Sequence, residues 1–259
     1  MRRVPIVAGE IYHVYNRGVE KRKIVLNDKD RLRFIFSLSV FNDEAPTVHN
    51  MYRMFEVGLR PNKGKKLVEI LCFTLMNNHY HLLVRPITDR GLTEFIRKLG
   101  TGYTNYFNLK YRRVGPLFQG KYKAVQVQTE QQLRYLPFYI HLNPLEAIKK
   151  DWFSDGLSKD ELRSAQRLLD SFEWSSHLDY LGQKNFPDVS DRTFLTKILG
   201  KPEEYRREVF HWLKREGEGD SGNDFMRWVK SDFTHFLHPL SSDFTQCQES
   251  FSSKVASTS

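Results

Sequence analysis

Two short motifs in this chain set side chains at spacings that could do chemistry together. His79 and His81 stand two residues apart in the run Met76-Asn77-Asn78-His79-Tyr80-His81-Leu82-Leu83-Val84. On a β-strand, residues two apart point to the same face, so the spacing presents paired imidazoles while Tyr80 and Leu82 point the other way. Two convergent imidazoles can hold a divalent cation, and they can equally be an ordinary pair of strand histidines. Farther along, Tyr139 and Asn143 are four apart. On a helix that stacks them on one face with Cβ atoms about 5–6 Å from each other, so a phenol and an amide oxygen would approach one point. Plainer uses exist for both: core packing for the tyrosine, and a helix stop for an asparagine that precedes Pro144.

The surrounding pattern supplies elements able to carry these motifs. Ile11 to Gly18 reads as a strand entering a turn, and Asn27-Asp28-Lys29-Asp30 offers capping oxygens to a helix carrying Leu32, Phe34, Ile35, Leu38 and Val40. Asn42 to Lys66 is polar, bears Gly and Pro, and reads as a loop. Leu67–Leu75 and His79–Arg85 form a hairpin across Met76-Asn77-Asn78. Leu92 to about Tyr111 has helical spacing and stops at Gly115-Pro116, and Tyr122–Gln128 alternates as a strand. Thr129-Glu130-Gln131-Gln132 fits a capping box opening a helix that Asn143-Pro144 closes. This order gives an α+β fold, a ferredoxin-like split βαβ sandwich with an antiparallel sheet and helices on one face, plus one extra helix bearing Tyr139. Pro137 falls inside that helix, where it removes a backbone hydrogen bond and predicts a kink just before Tyr139.

The charge is unevenly divided. Residues 1–150 hold 26 Lys+Arg against 12 Asp+Glu, a balance of +14, whereas 151–259 hold 14 against 19, a balance of −5. A basic surface confined to the front of the chain is the footprint of a polyanion-binding domain, and nucleic acid is the leading partner. The expected organisation is a catalytic domain over 1–150, a helical appendage over 151–215 with helices at Lys159–Phe172 and Pro202–Arg215, and a largely disordered tail over 216–259. Two cysteines far apart, Cys72 and Cys247, exclude a disulfide framework and a cysteine zinc site. No run approaches a membrane span and the N-terminus lacks a secretory h-region, so a cytoplasmic protein is expected, associated with the nucleoid when on DNA.

Four motifs in order resemble the REP-associated tyrosine transposases of the HUH single-strand transposase class. These are Tyr12-His13-Val14-Tyr15-Asn16-Arg17-Gly18, the His79 run, Gly115-Pro116-Leu117-Phe118-Gln119-Gly120-Lys121-Tyr122-Lys123, and Tyr139-Ile140-His141-Leu142-Asn143-Pro144. The similarity runs from about Gly9 to about Ala147, with a weaker echo at Glu173-Trp174-Ser175-Ser176. Asn77 departs from the family pattern, where proline is usual. By position the resemblance implies that His79, His81 and Asn143 bind a divalent metal, Mg²⁺ or Mn²⁺, and that Tyr139 attacks a DNA phosphate. It implies a 5′-phosphotyrosine product and a free 3′-hydroxyl, on single-stranded or hairpin DNA such as a repetitive palindrome. Arg17, Arg97, Lys98, Arg112, Arg113, Lys121 and Lys123 are the expected DNA contacts, with neighbouring aromatics to stack unpaired bases. Tyr103 and Tyr106 are rival nucleophiles by residue type but are read as packing. No small-molecule cofactor and no membrane partner are expected, and a monomer is expected over a homodimer. Two other readings remain at this level: a transposase-derived protein that binds DNA without cutting it, and an RNA-binding domain whose sheet stacks bases.

Overall fold

The computed structural model of the protein describes residues 5–45, 64–150 and 152–214. Most of the stretch read as a loop, and the whole of the tail read as disordered, lie outside these residues.

The sheet has four strands: β1 (Tyr12–Arg17), β2 (Val68–Leu75), β3 (His79–Pro86) and β4 (Lys123–Gln126). They lie in the order β2-β3-β1-β4 and every pairing is antiparallel. Two helices cross over between strands, α1 (Asp28–Val40) and α2 (Gly91–Lys110). The expected α+β sandwich is therefore present. Asn27 caps α1 by accepting from the Asp30 amide at 3.1 Å.

Strand alternation divides the sheet into two faces. Tyr12 and Val14 of β1, and Tyr80, Leu82 and Val84 of β3, join Phe34, Leu38, Phe95, Leu99 and Tyr103 of α1 and α2 in one hydrophobic core. Strand β2 reaches that core from both parities, through Val68 and Ile70 and then Phe73 and Leu75. A bulge between Ile70 and Cys72 inserts Leu71 and switches the phase, so that Cys72 and Thr74 turn to the opposite face.

That opposite face carries His13 and Tyr15 of β1 and His79 and His81 of β3. It is covered by α3 (Glu130–Leu142), whose N-terminus is closed by the expected capping box between Thr129 and Gln132. Pro137 lies inside α3, which is continuous from Glu130 to Leu142. Every residue from Tyr135 to Leu142 is buried, and that burial offsets the roughly 3 kcal/mol that an interior proline costs a helix.

The chain divides into two compact units. The first joins, among the described residues, 5–45 and 64–143 with 170–209, so a stretch well past residue 150 shares the unit of the sheet. It contains the short helices α6 (His177–Tyr180) and α7 (Thr193–Leu199). The second comprises, among the described residues, 144–169 and 210–214. In it lies α4 (Trp152–Asp155), and Phe153 meets Trp212 with ring centroids 5.9 Å apart. Helices α5 (Lys159–Ser171) and α8 (Pro202–Lys214) each pass from one unit to the other. Among the described residues no helix is long and apolar enough to cross a membrane.

Candidate active site

Register brings the two motifs to one place. Across β1 and β3, Arg17 pairs with His79 and Tyr15 with His81, while across β2 and β3 Thr74 pairs with His81. His79 and His81 meet edge to face with ring centroids 5.0 Å apart. Tyr139 stands edge-on to His81 at 5.7 Å and to His13 at 6.0 Å. The Oδ1 of Asn143 lies 3.1 Å from His79 Nε2. The phenol, both imidazoles and the amide oxygen thus share one buried locus on the sheet face opposite the main core.

His13 belongs to this locus, although the sequence pattern alone gave it no role. It is fully buried, stacks on His81 with centroids 5.1 Å apart, and places its Nε2 2.9 Å from His81 Nδ1. The signal that could have found it is the period of two in β1, which puts His13, Tyr15 and Arg17 on one face just as it does His79 and His81. Burial pushes His13 down to about 3 and His79 down to about 4. For His79 the Asn143 contact opposes that shift and the charge of Arg17 adds to it. His81 is lowered well below the ordinary range, first by burial and then by His79 and His13. All three rings are neutral at pH 7, the form in which a nitrogen lone pair is available.

The donor set around His79 fits a cation. Its Nδ1 lies 2.7 Å from Asn78 Oδ1 and its Nε2 3.1 Å from Asn143 Oδ1. Both partners are carbonyl oxygens that only accept, and a neutral imidazole has one N–H. With Nδ1–H donated to Asn78, Nε2 and the Asn143 oxygen present lone pairs to each other, an arrangement that a divalent ion between them makes favourable. A proton on His81 Nδ1, shared with His13, leaves Nε2 of His81 as its lone-pair nitrogen. Among the described residues no group of three or more His, Cys, Asp or Glu side chains forms a metal cluster. The side chains that could hold a cation here are two imidazoles and an amide oxygen, a mixed N/O set.

The basic residues separate into groups. Arg17 is half-buried beside His79, and its Nε donates to Gln119 Oε1 at 2.5 Å. Lys123 pairs with Tyr15 across β1 and β4, and Lys121 lies just before it, exposed. The segment 117–120 runs beside 17–19, with Gln119 N donating to Arg17 O at 2.8 Å and Val19 N to Leu117 O at 2.9 Å. Gly18 is required in this turn, because a Cβ there would stand 2.1 Å from the Arg22 carbonyl oxygen. Arg112 is exposed with φ of 51°, and Arg113 donates to Asn108 Oδ1 at 2.9 Å. Arg97 and Lys98 are not brought to the site, since they lie on α2 across the sheet. Lys98 is buried, its ammonium held by the carbonyls of Asp43 at 2.5 Å and Ala45 at 2.8 Å. Tyr103 and Tyr106 are also in the main core, their hydroxyls donating to Ile24 O and Asp30 Oδ1, each at 2.8 Å.

Residues 40–143 match the model of the family described as Transposase IS200 like. That stretch, which is similar to the family, contains His79, His81, Tyr139 and Asn143. Among solved structures, the chain is similar to one described as "Structure of the REP associates tyrosine transposase bound to a REP hairpin", at 11% identity and a TM-score of 0.42, over 74% of this chain and 93% of that one. No curated protein matches.

The buried histidines carry an acid-stability prediction. His13, His79, His81, His141 and His177 are all buried, and burial lowers every one of them from an ordinary value of 6.5. A folded-state pKa below the unfolded one means that the unfolded chain binds more protons between the two values. The associated stability is fully present above pH 6.5 and is lost as pH falls towards the folded values, about 4 for His79 and about 3 for His13 and His177. Tm should stay level from pH 8 to 7 and fall steeply between pH 6.5 and 4. A flat profile over that lower range would contradict the neutral histidine core.

Proposed function

We propose that the protein is a metal-dependent single-strand DNA endonuclease and transposase that cuts and rejoins DNA through a phosphotyrosine at Tyr139. The observation that carries this reading is the convergence of Tyr139 on α3 and Asn143 at its C-terminal cap, four residues later, onto the His79–His81 pair of β3. A binding module, whether for DNA or RNA, has no use for a nucleophile set against two neutral imidazoles and an amide oxygen. The resemblance of the four ordered motifs to the REP-associated tyrosine transposases makes single-stranded or hairpin DNA the substrate to try first.

His79, His81 and Asn143 would hold the ion, with His13 fixing the tautomer of His81. The bound ion supplies a positive charge to a non-bridging phosphate oxygen, relieving the repulsion between an anionic diester and the attacking oxygen. Tyr139 Oη forms the bond to phosphorus while the P–O3′ bond breaks. The phenol loses its proton and O3′ gains one, leaving a 5′-phosphotyrosine and a free 3′-hydroxyl. Because the diester count is preserved, a second 3′-hydroxyl can reverse the step on another strand. Tyr139 is held by ring contacts with His13 and His81, so the attack needs little reorganisation of the nucleophile.

Arg17, Lys121 and Lys123 flank the His79 side of the sheet and would track the backbone of the bound strand, while Lys98 serves the fold. Arg17→Ala should reduce the salt dependence of single-strand binding by about 0.7 in log–log slope, the contribution of one phosphate contact. Lys98→Ala should leave that slope unchanged and lower Tm. Fluorescence anisotropy with a labelled hairpin across a salt series, beside thermal melts, checks both, and equal slopes for Arg17→Ala and wild type would remove Arg17 from the interface. The reading as a whole is tested by whether metal and single-stranded DNA together yield a covalent protein–DNA adduct.

A further inference from the structure

The Trp174-Ser175-Ser176 run extends the sheet at its β2 edge, where Leu75 N donates to Trp174 O at 2.9 Å and Ser176 N to Phe73 O at 3.0 Å. Ser176 then starts a chain of buried polar groups. Its Oγ accepts from Phe73 N at 2.9 Å and lies 2.8 Å from His141 Nε2. His141 Nδ1 lies 2.8 Å from Tyr205 Oη, and the same oxygen lies 2.8 Å from His177 Nδ1. Ser176, His141 and Tyr205 have no exposed surface, and His177 is 2% exposed.

One hydroxyl between two Nδ1 atoms can donate to at most one of them, so at least one ring must present Nδ1–H to it, and both rings are held in fixed orientations. His141 is two residues from both Tyr139 and Asn143, a step of about 200° around a helix, so its ring leaves α3 on the side opposite theirs. The Phe138 ring stacks on Tyr205 with centroids 5.5 Å apart and planes 13° apart. A further tie comes from Thr74, whose Oγ1–H donates to Ile140 O at 2.6 Å. The usual helical donor to that carbonyl would be the amide of residue 144, which is Pro144 and has none.

Apolar packing alone would bury α3, but it does not fix rotation and depth as directional bonds at three points do. We propose that Ser176, His177 and Tyr205 are positioning residues for strand cleavage, acting through His141 to set α3 so that Tyr139 and Asn143 meet the His79–His81 pair. The stretch 174–205 is then a brace of the catalytic unit. The catalytic arm of this inference rests on the nuclease reading above.

The test uses the full chain with Tyr205→Phe, which keeps the ring stacked on Phe138 and removes only the hydroxyl. Its control is Tyr180→Phe, which removes the hydroxyl of another buried tyrosine, one that donates to Leu71 O at 2.8 Å and not to α3. Two readouts are taken well below both melting temperatures: hydrogen exchange of the amides of 138–143, and single-turnover adduct formation against DNA concentration with Mn²⁺. Tyr205→Phe should speed exchange in α3 on the order of tenfold. It should slow adduct formation at saturating DNA by about 10–100-fold, with half-saturating DNA unchanged within about twofold. Tyr180→Phe should do neither. Wild-type exchange in α3 for Tyr205→Phe, or losses matching those of Tyr180→Phe, would overturn the proposal. A wild type that exchanges as expected yet forms no adduct would sink the nuclease reading while the exchange comparison still decides the brace.

Discussion

Tyr139→Phe should abolish adduct formation, by about 10⁴-fold or more, while leaving the fold intact. The side chain is 6% exposed and its ring packs edge-on against His13 and His81. Phenylalanine keeps that packing and removes the phenol oxygen alone, the proposed nucleophile. A loss of this size is what removing the nucleophile of a covalent mechanism produces, whereas loss of one hydroxyl changes stability by about 1 kcal/mol. Single-turnover cleavage and thermal melts on the same preparations separate the two effects. If Tyr139→Phe cleaves at a tenth of the wild-type rate or faster, another group attacks the phosphate. Tyr103 and Tyr106 are poor replacements, since both lie in the core on the far side of the sheet with their hydroxyls committed to Ile24 and Asp30.

The second large effect belongs to the proposed metal site. Saturating Mn²⁺, at about 100 times its Kd, should stabilise the wild type by about 2.7 kcal/mol, a rise in Tm of roughly 5–10 °C for a chain of this size. His81→Ala should lose that rise and slow cleavage by about 10³-fold, as expected when a Lewis acid worth several kcal/mol is removed. Hairpin binding, proposed to rest on Arg17, Lys121 and Lys123, should persist. His13→Phe removes only the partner of His81 Nδ1 and should weaken Mn²⁺ affinity by about 10–100-fold, the usual cost of losing an outer hydrogen-bond partner. Reading the metal-induced shift in Tm, not Tm itself, keeps both variants informative when substitution also lowers stability. A wild-type shift retained in His81→Ala would place the ion elsewhere.

The elements around the site were legible because short-range periodicity sets them. The hairpin at Met76-Asn77-Asn78, the capping box at Thr129 and the four-residue step from Tyr139 to Asn143 each lie within a few residues, where side-chain spacing reports directly on backbone geometry. What stayed hidden depends on contacts between distant parts of the chain. Phe73 meets Ser176 about a hundred residues later, and no local pattern announces an edge pairing of that reach. The phase switch in β2 was hidden because Leu71 is as apolar as its neighbours. Lys98 was read as a DNA contact because a charged helix residue ordinarily faces solvent. Here the carbonyls of Asp43 and Ala45 draw it inward.

The most direct test of the account is to trap the cleaved product and locate the bond. Purified protein, Mn²⁺ and a labelled single-stranded hairpin are resolved on a denaturing gel, and the retarded species is digested and sequenced by mass spectrometry. The expected result is an adduct that requires metal, survives denaturation and carries its nucleotide on Tyr139. Binding of the hairpin with no adduct under any divalent ion, or an adduct attached to another residue, would contradict it.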